Sequence, residues 1–231
     1  MGNGSDLVFT TNDANISNNT WHHLSVTYGE GLNVYLDGSP AYISGWATSH
    51  LTGDSDSGIS NTHTYTCAVN VNGATKTVNG VQFTGSNATS GANWSITSGF
   101  DLSHISNTST VTGQIGDVLG NGFRFNGDPQ KIKITGLTPG VNYTFALYSQ
   151  SWSGSERNCT LSSSALAQTI MVNQDQFNSS GQDGLLVECS YCASGTEVEF
   201  TIDPVVGLSL IHISEPTRRT PISYAVFCLK K

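Results

Sequence analysis

Apolar and polar residues alternate along much of this chain with a period of two, the spacing of strands that turn one face to a core. The clearest case is Trp21 to Gly38, WHHLSVTYGEGLNVYLDG, where Leu24/Val26/Tyr28 and Leu32/Val34/Leu36 flank Gly-Glu-Gly. Two alternating runs around a glycine-bearing turn predict a β-hairpin. Further strands are predicted over 64–71, 76–83, 130–135, 142–150, 168–172, 185–190 and 197–202. Turn signals separate them: Asn72-Gly73, Asn79-Gly80, Asn126-Gly127-Asp128-Pro129 and Thr138-Pro139-Gly140. Only 114–119 has the makings of a helical turn, and the glycines around it keep it short. Many short strands punctuated in this way predict an all-β chain built as a β-sandwich or jelly roll.

Charge narrows the partners. Residues 1–207 hold five cations (Lys76, Arg124, Lys131, Lys133, Arg157) against sixteen carboxylates, a formal charge of 5 − 16 = −11. A surface so poor in Lys and Arg cannot neutralise many phosphates, so no nucleic-acid partner is expected. Docking on anionic lipid is excluded on the same ground. No run approaches the roughly 20 apolar residues of a membrane span, so no membrane insertion is expected either. The opening MGNGSDLVF lacks the basic and apolar stretches of a secretion signal.

Cysteine usage leaves two readings open. Setting Cys228 aside, Cys67, Cys159, Cys189 and Cys192 remain, an even number that allows two disulfides in three connectivities in a secreted chain. Buried free thiols account for them equally well. Cys189-Ser-Tyr-Cys192 has C-x-x-C spacing, but no βαβ context or second ligand pair accompanies it. Positions three apart on a strand point to opposite faces, so a 189–192 bridge would need a turn there.

The hairpin resembles the paired strands of laminin-G-like (concanavalin A-like) jelly rolls, where Trp-His-His-Leu leads one strand and Tyr-Leu-Asp-Gly closes the next. The resemblance implies a partial domain over 1–52, with Trp21 in its core and an N-terminus truncated ahead of it. Residues 53–60, GDSDSGIS, have the composition of a linker. Residues 61–207 follow as a second β-sandwich module. Its order AVNVNGATKTVNGVQFT, FRFNGDPQKIKITGLTPGVNYTFALYSQSW and MVNQDQF resembles sandwich modules of large bacterial exoproteins. The last 24 residues, from Leu208, read LSLIHISEPTRRTPISYAVFCLKK and resemble a translated sequencing-adapter read-through. Residues 208–231 are therefore expected to be a non-native tail and are set aside in predicting the fold.

Candidate chemistry is sparse. Trp94, Tyr148 and Trp152 are the rings to consider for stacking on sugars, with core packing as the competing role. Asp54-Ser55-Asp56-Ser57-Gly58 begins like a calcium loop, but position twelve holds Tyr65 where an EF-hand needs a carboxylate. Asp54 and Asp56 are thus the candidate calcium ligands, and no other cofactor is expected. His22 and His23 are adjacent, so a regular strand points them to opposite faces. Carboxylate pairs such as Glu197/Glu199 and Asp175/Asp183 lack any supporting motif, and neither G-x-S-x-G nor H-E-x-x-H occurs. The chain is expected to be a non-catalytic fragment of a secreted or cell-surface protein, binding extracellular polysaccharide or acting in adhesion. The alternatives are a spacer or stalk module, or the accessory region of a glycoside hydrolase whose catalytic domain lies elsewhere.

Overall fold

A computed structural model describes residues 21, 23–28, 32–36, 39–41, 44–97, 100–101, 110–119, 123–125, 129–150, 158–177, 183–204 and 223–230. In chain order the strands are β1 (Leu24–Tyr28), β2 (Leu32–Leu36), β3 (Ser39–Ala41), β4 (Gly45–Leu51), β5 (Tyr65–Val71), β6 (Lys76–Val78), β7 (Val81–Ser86), β8 (Ser90–Gly91) and β9 (Trp94–Thr97). They continue as β10 (Phe100–Asp101), β11 (Phe123–Phe125), β12 (Gln130–Thr135), β13 (Asn142–Gln150), β14 (Asn158–Ser163), β15 (Leu166–Asn173), β16 (Gly184–Cys192), β17 (Glu197–Pro204) and β18 (Ser223–Lys230). One short helix, α1 (Gly113–Leu119), lies where the single helical turn is predicted.

The predicted hairpin forms: β1 and β2 pair antiparallel from Leu24 opposite Leu36 to Tyr28 opposite Leu32, and β3 completes a three-stranded sheet. Trp21, expected in a core, is instead fully exposed. The division expected after residue 52 does not hold for the segment just before it. Strand β4 pairs with β16 over seven residues and so belongs to the sheet of the larger module.

That module is a sandwich of two sheets. One runs β4-β16-β13-β18-β5-β7-β6, with β11 and β10 attached at β18, and the other runs β15-β14-β17-β12-β9-β8. Between them lies the larger core, formed by one face of each sheet. Phe145, Leu147, Val187, Cys189 and Tyr191 point inward from the nine-stranded sheet and meet Ile132, Leu161, Phe200 and Ile202 of the six-stranded one. The ring of Phe200 is the hub. It stacks on Phe145 with centroids 3.9 Å apart and meets Tyr191 and Trp46 edge-on at 5.9 and 6.3 Å.

The nine-stranded sheet buries its other face as well. Tyr148, Ala146 and Leu186 turn away from Phe200 into a second core with Phe83, Ile115 and Val118. This is why β13 reads YTFALYSQ, with little polar alternation: a strand covered on both sides has no solvent face.

Residues 53–60, expected as a solvated linker, form part of that second cover. Ser57 and Ile59 are buried. The Tyr148 hydroxyl donates to Ser57 O (2.8 Å), and the Asn79 amide donates to Asp54 O (2.7 Å) and Ile59 O (3.1 Å). Small polar residues suit a solvated linker and a tight turn alike, because both need short side chains. Only the partners contributed by Asn79 and Tyr148 decide between them.

The predicted strand over 76–83 is two strands joined at Asn79-Gly80, both at positive φ, as a tight hairpin turn requires. Strand β7 runs parallel to β5, and the chain between them crosses over β7 at Gly85. A Cβ at Gly85 would stand 2.3 Å from Gly73 O, so only glycine admits the crossing.

Strand β18 lies between β13 and β5, inside the segment that resembles adapter read-through. A strand ladder is made of main-chain N–H and C=O groups, so its formation is neutral as to where those residues originate.

Replacing Phe200 with alanine removes the ring on which three others rest. Phe200→Ala is expected to destabilise the fold by about 3–5 kcal/mol, read as a lowered urea midpoint at unchanged slope.

Candidate functional site

Two of the three rings selected for sugar stacking are structural. Trp94 is 7% exposed and packs between the sheets, and Tyr148 is 1% exposed with its hydroxyl spent on Ser57 O. A buried ring offers no face to a ligand, so neither is a stacking platform. Trp152 lies outside the described residues, as does His22; His23 is exposed just ahead of β1.

Asp54 and Asp56 serve as hydrogen-bond acceptors for protein groups. The Asp54 carboxylate accepts from Gln114 N (3.1 Å) and Ile115 N (2.8 Å), capping α1. Gly113 precedes them at φ +79°, and a Cβ there would stand 2.5 Å from the Asp54 carboxyl. Asp56 accepts from Thr52 N (2.9 Å), Gly53 N (2.9 Å) and the Thr52 hydroxyl. Burial works to raise the Asp56 pKa, but the Thr52 hydroxyl and the backbone N–H groups outweigh it and hold the carboxyl below the usual value. Among the described residues, no group of three or more His, Cys, Asp or Glu is placed to hold a metal.

The four cysteines under consideration are free thiols. Cys189 and Cys192 sit on one uninterrupted strand, β16, and so face opposite ways; only Cys189 enters the core. Cys67 and Cys159 enter that core from β5 and β14. Burial pushes the Cys189 thiol up to about 12, against a smaller opposing pull from a hydrogen bond with Ser163. The group stays protonated and inert at neutral pH.

The carboxylate pair Glu197/Glu199 is held in cross-strand ion pairs on the outer face of the six-stranded sheet. Lys131 Nζ lies 2.6 Å from Glu199 and Lys133 Nζ 2.8 Å from Glu197. These side chains are about half exposed, so each pair is worth less than about 1 kcal/mol.

What the sequence reading missed is a concentration of buried polar side chains at one end of the sandwich. Strand β13 ends there at Ser149-Gln150, β12 begins at Gln130, and β15 ends just ahead of Gln174-Asp175. All five are buried, with exposures from 0 to 7%. Gln174 Nε2 donates to Gln150 O at 2.6 Å, tying the ends of the two sheets together. At the same end the Thr110 hydroxyl donates to Asp183 Oδ1 (2.8 Å), one residue ahead of the Gly184–Gln150 pair. The Ser149 hydroxyl finds no partner among the described residues. These residues are scattered from 110 to 183, and no spacing links them. The nearest signal was polar residues ending apolar runs, which also describes ordinary strand ends.

No protein-family model matches the chain, and neither does any curated protein. Among solved structures, the β-glucuronidase of Bacteroides uniformis aligns with a TM-score of 0.47 and 11% identity. The alignment covers 71% of this chain and 17% of that one, so the chain spans about a sixth of the enzyme's length. This likeness is too slight to carry any chemistry from that enzyme to this chain. No helix among the described residues is long and apolar enough to cross a membrane.

Two outcomes test these assignments. Asp54→Ala uncaps α1 and is expected to cost about 1 kcal/mol of stability, with or without added calcium in the denaturation series. For Cys189, the unfolded thiol titrates near its ordinary value of 9.0 while the folded one holds its proton to about 12. The unfolded state therefore loses its proton first, and stability present below pH 9 falls as pH rises through that window. Cys189→Ala should lose less stability than the parent between about pH 8 and pH 11, measured by paired urea titrations.

Proposed function

We propose that this chain is a non-catalytic module of a secreted or cell-surface protein that binds extracellular polysaccharide through the polar end of its sandwich. The observation that carries the reading is the half-buried Asp183 carboxylate and the exposed Thr110 hydroxyl that donates to it, set at the sandwich end above the buried Gln130, Ser149, Gln150, Gln174 and Asp175. The hydrogen-bonded amides beneath fix that end of the sandwich, with Gln174 Nε2 donating to Gln150 O at 2.6 Å. A fixed carboxylate beside a hydroxyl is chemistry that recognises sugar hydroxyls, accepting and donating in set directions. Loops at the ends of a sandwich are also where binding surfaces are commonly built.

A spacer role is the second reading, and the burial of Trp94 and Tyr148 favours it.

Affinity electrophoresis through gels containing neutral or acidic polysaccharides separates the two. The binding reading expects retardation on at least one polysaccharide, lost in Asp183→Ala with melting temperature little changed. Tyr148→Phe should do the reverse, leaving retardation intact while removing a buried hydrogen bond worth about 1–2 kcal/mol. Free migration on every gel would leave the spacer reading standing.

A further inference from the structure

Among the described residues the two large sheets of the sandwich have five end strands, and four are blunted. Strands β8 and β10 have two residues each and β6 has three. Strand β6 also carries Lys76, ion-paired with Asp117 of α1 at 3.1 Å. Strand β15 is longer, but its pairing with β14 slips, leaving Ala167–Thr169 bulged opposite Ser162. Within that bulge, Gln168 O is taken by the Trp46 indole N–H at 3.1 Å. Short strands, charges and bulges are the devices that keep sheet edges from pairing with other chains.

Strand β4 has none of them. It pairs with β16 through seven consecutive residues without a register shift. Its sequence GWATSHL holds no proline and no Lys, Arg, Asp or Glu. Ala47, Thr48, Ser49 and His50 are all exposed. Among the described residues, no strand pairs with the other edge of β4.

We propose that the free edge of β4 pairs antiparallel with β4 of a second copy, on a twofold axis through Thr48. An antiparallel self-pair has its axis at a residue facing itself, and Thr48 is the middle of the seven. In that register Thr48 faces Thr48, Ala47 faces Ser49, Gly45 faces Leu51, and Trp46 faces His50 twice over. No like charges meet, although each copy carries a net charge of −8 that elsewhere drives copies apart. Thr–Thr and aromatic pairs are among the favourable cross-strand combinations. The aromatic row would also run on into each copy. Trp46 already meets Phe200 edge-on, and His50 stacks on Phe177 with centroids 5.0 Å apart. The self-matching register is what selects a second copy over an unrelated strand. This inference is independent of the polysaccharide reading, since the polar end lies at the strand termini and plays no part in the pairing.

The test is sedimentation velocity on the full chain over about a hundredfold range of concentration. One strand pair is a small interface, so a concentration-dependent monomer–dimer equilibrium is expected. Thr48→Lys puts two ammonium groups on the axis and should sediment as a monomer throughout, with an unchanged circular dichroism spectrum. Thr48→Cys places two sulfurs across the axis, where facing Cβ atoms lie about 4.5–5.5 Å apart, and should give a covalent dimer on mild oxidation. A parent chain that stays monomeric at every concentration overturns the proposal. So does a dimer that survives Thr48→Lys or that Thr48→Cys fails to cross-link.

Discussion

Strand β13 buries side chains on both faces, and the rest of the described sandwich follows from having to cover both. Toward one side, Phe145 and Leu147 need a second sheet, and Phe200 from β17 supplies the ring they pack on. Toward the other side, Ala146 and Tyr148 need a lid, which α1 and the 53–60 turn provide. Apolar burial at about 25 cal/mol per Å² is the driving term, but it is available only if both covers form together. Tyr148 adds a directional constraint, because its hydroxyl must find an acceptor once the ring is buried, and Ser57 O is that acceptor.

The same demand explains the small polar segments. Asp54, Asp56, Asn79 and Thr52 look like surface residues, yet each supplies or receives a hydrogen bond that lets the lid turn back on the sheet. The helix is only seven residues long and could not persist alone, so its Asp54 cap and its packed face carry it. Chemistry that resembles a cation loop in one dimension is, in three, the fastening of a lid.

Function, in turn, is assigned to what the core does not use. Of the rings considered for sugar stacking, Trp94 and Tyr148 are consumed by packing, and polar residues gather where strands end. A sandwich serves many purposes, so the reading rests on those side chains and not on the architecture. The β4 edge is likewise a remainder: among the described residues the four other sheet ends are closed by length, charge or bulge, and this one is not.

Local pattern determined much of this. Strands β12 and β13 lie where alternation and turn residues predict them, the predicted β1–β2 hairpin forms, and the one helical turn forms at its predicted place. These depend on periodicity and turn chemistry, which neighbouring residues carry among themselves. The expectation of no nucleic-acid partner likewise rests on formal charge, which the composition alone sets. Tertiary structure alone decided the rest. Whether GDSDSGIS is linker or lid depends on Asn79 and Tyr148, and whether Trp94 is platform or core depends on the facing sheet. The split of Cys189 from Cys192 depends on β16 running straight through both, and β4 leaves the hairpin region to join β16, 133 to 145 residues further on. Long-range contacts bring together residues with no local relation, so no period or spacing along the chain encodes them.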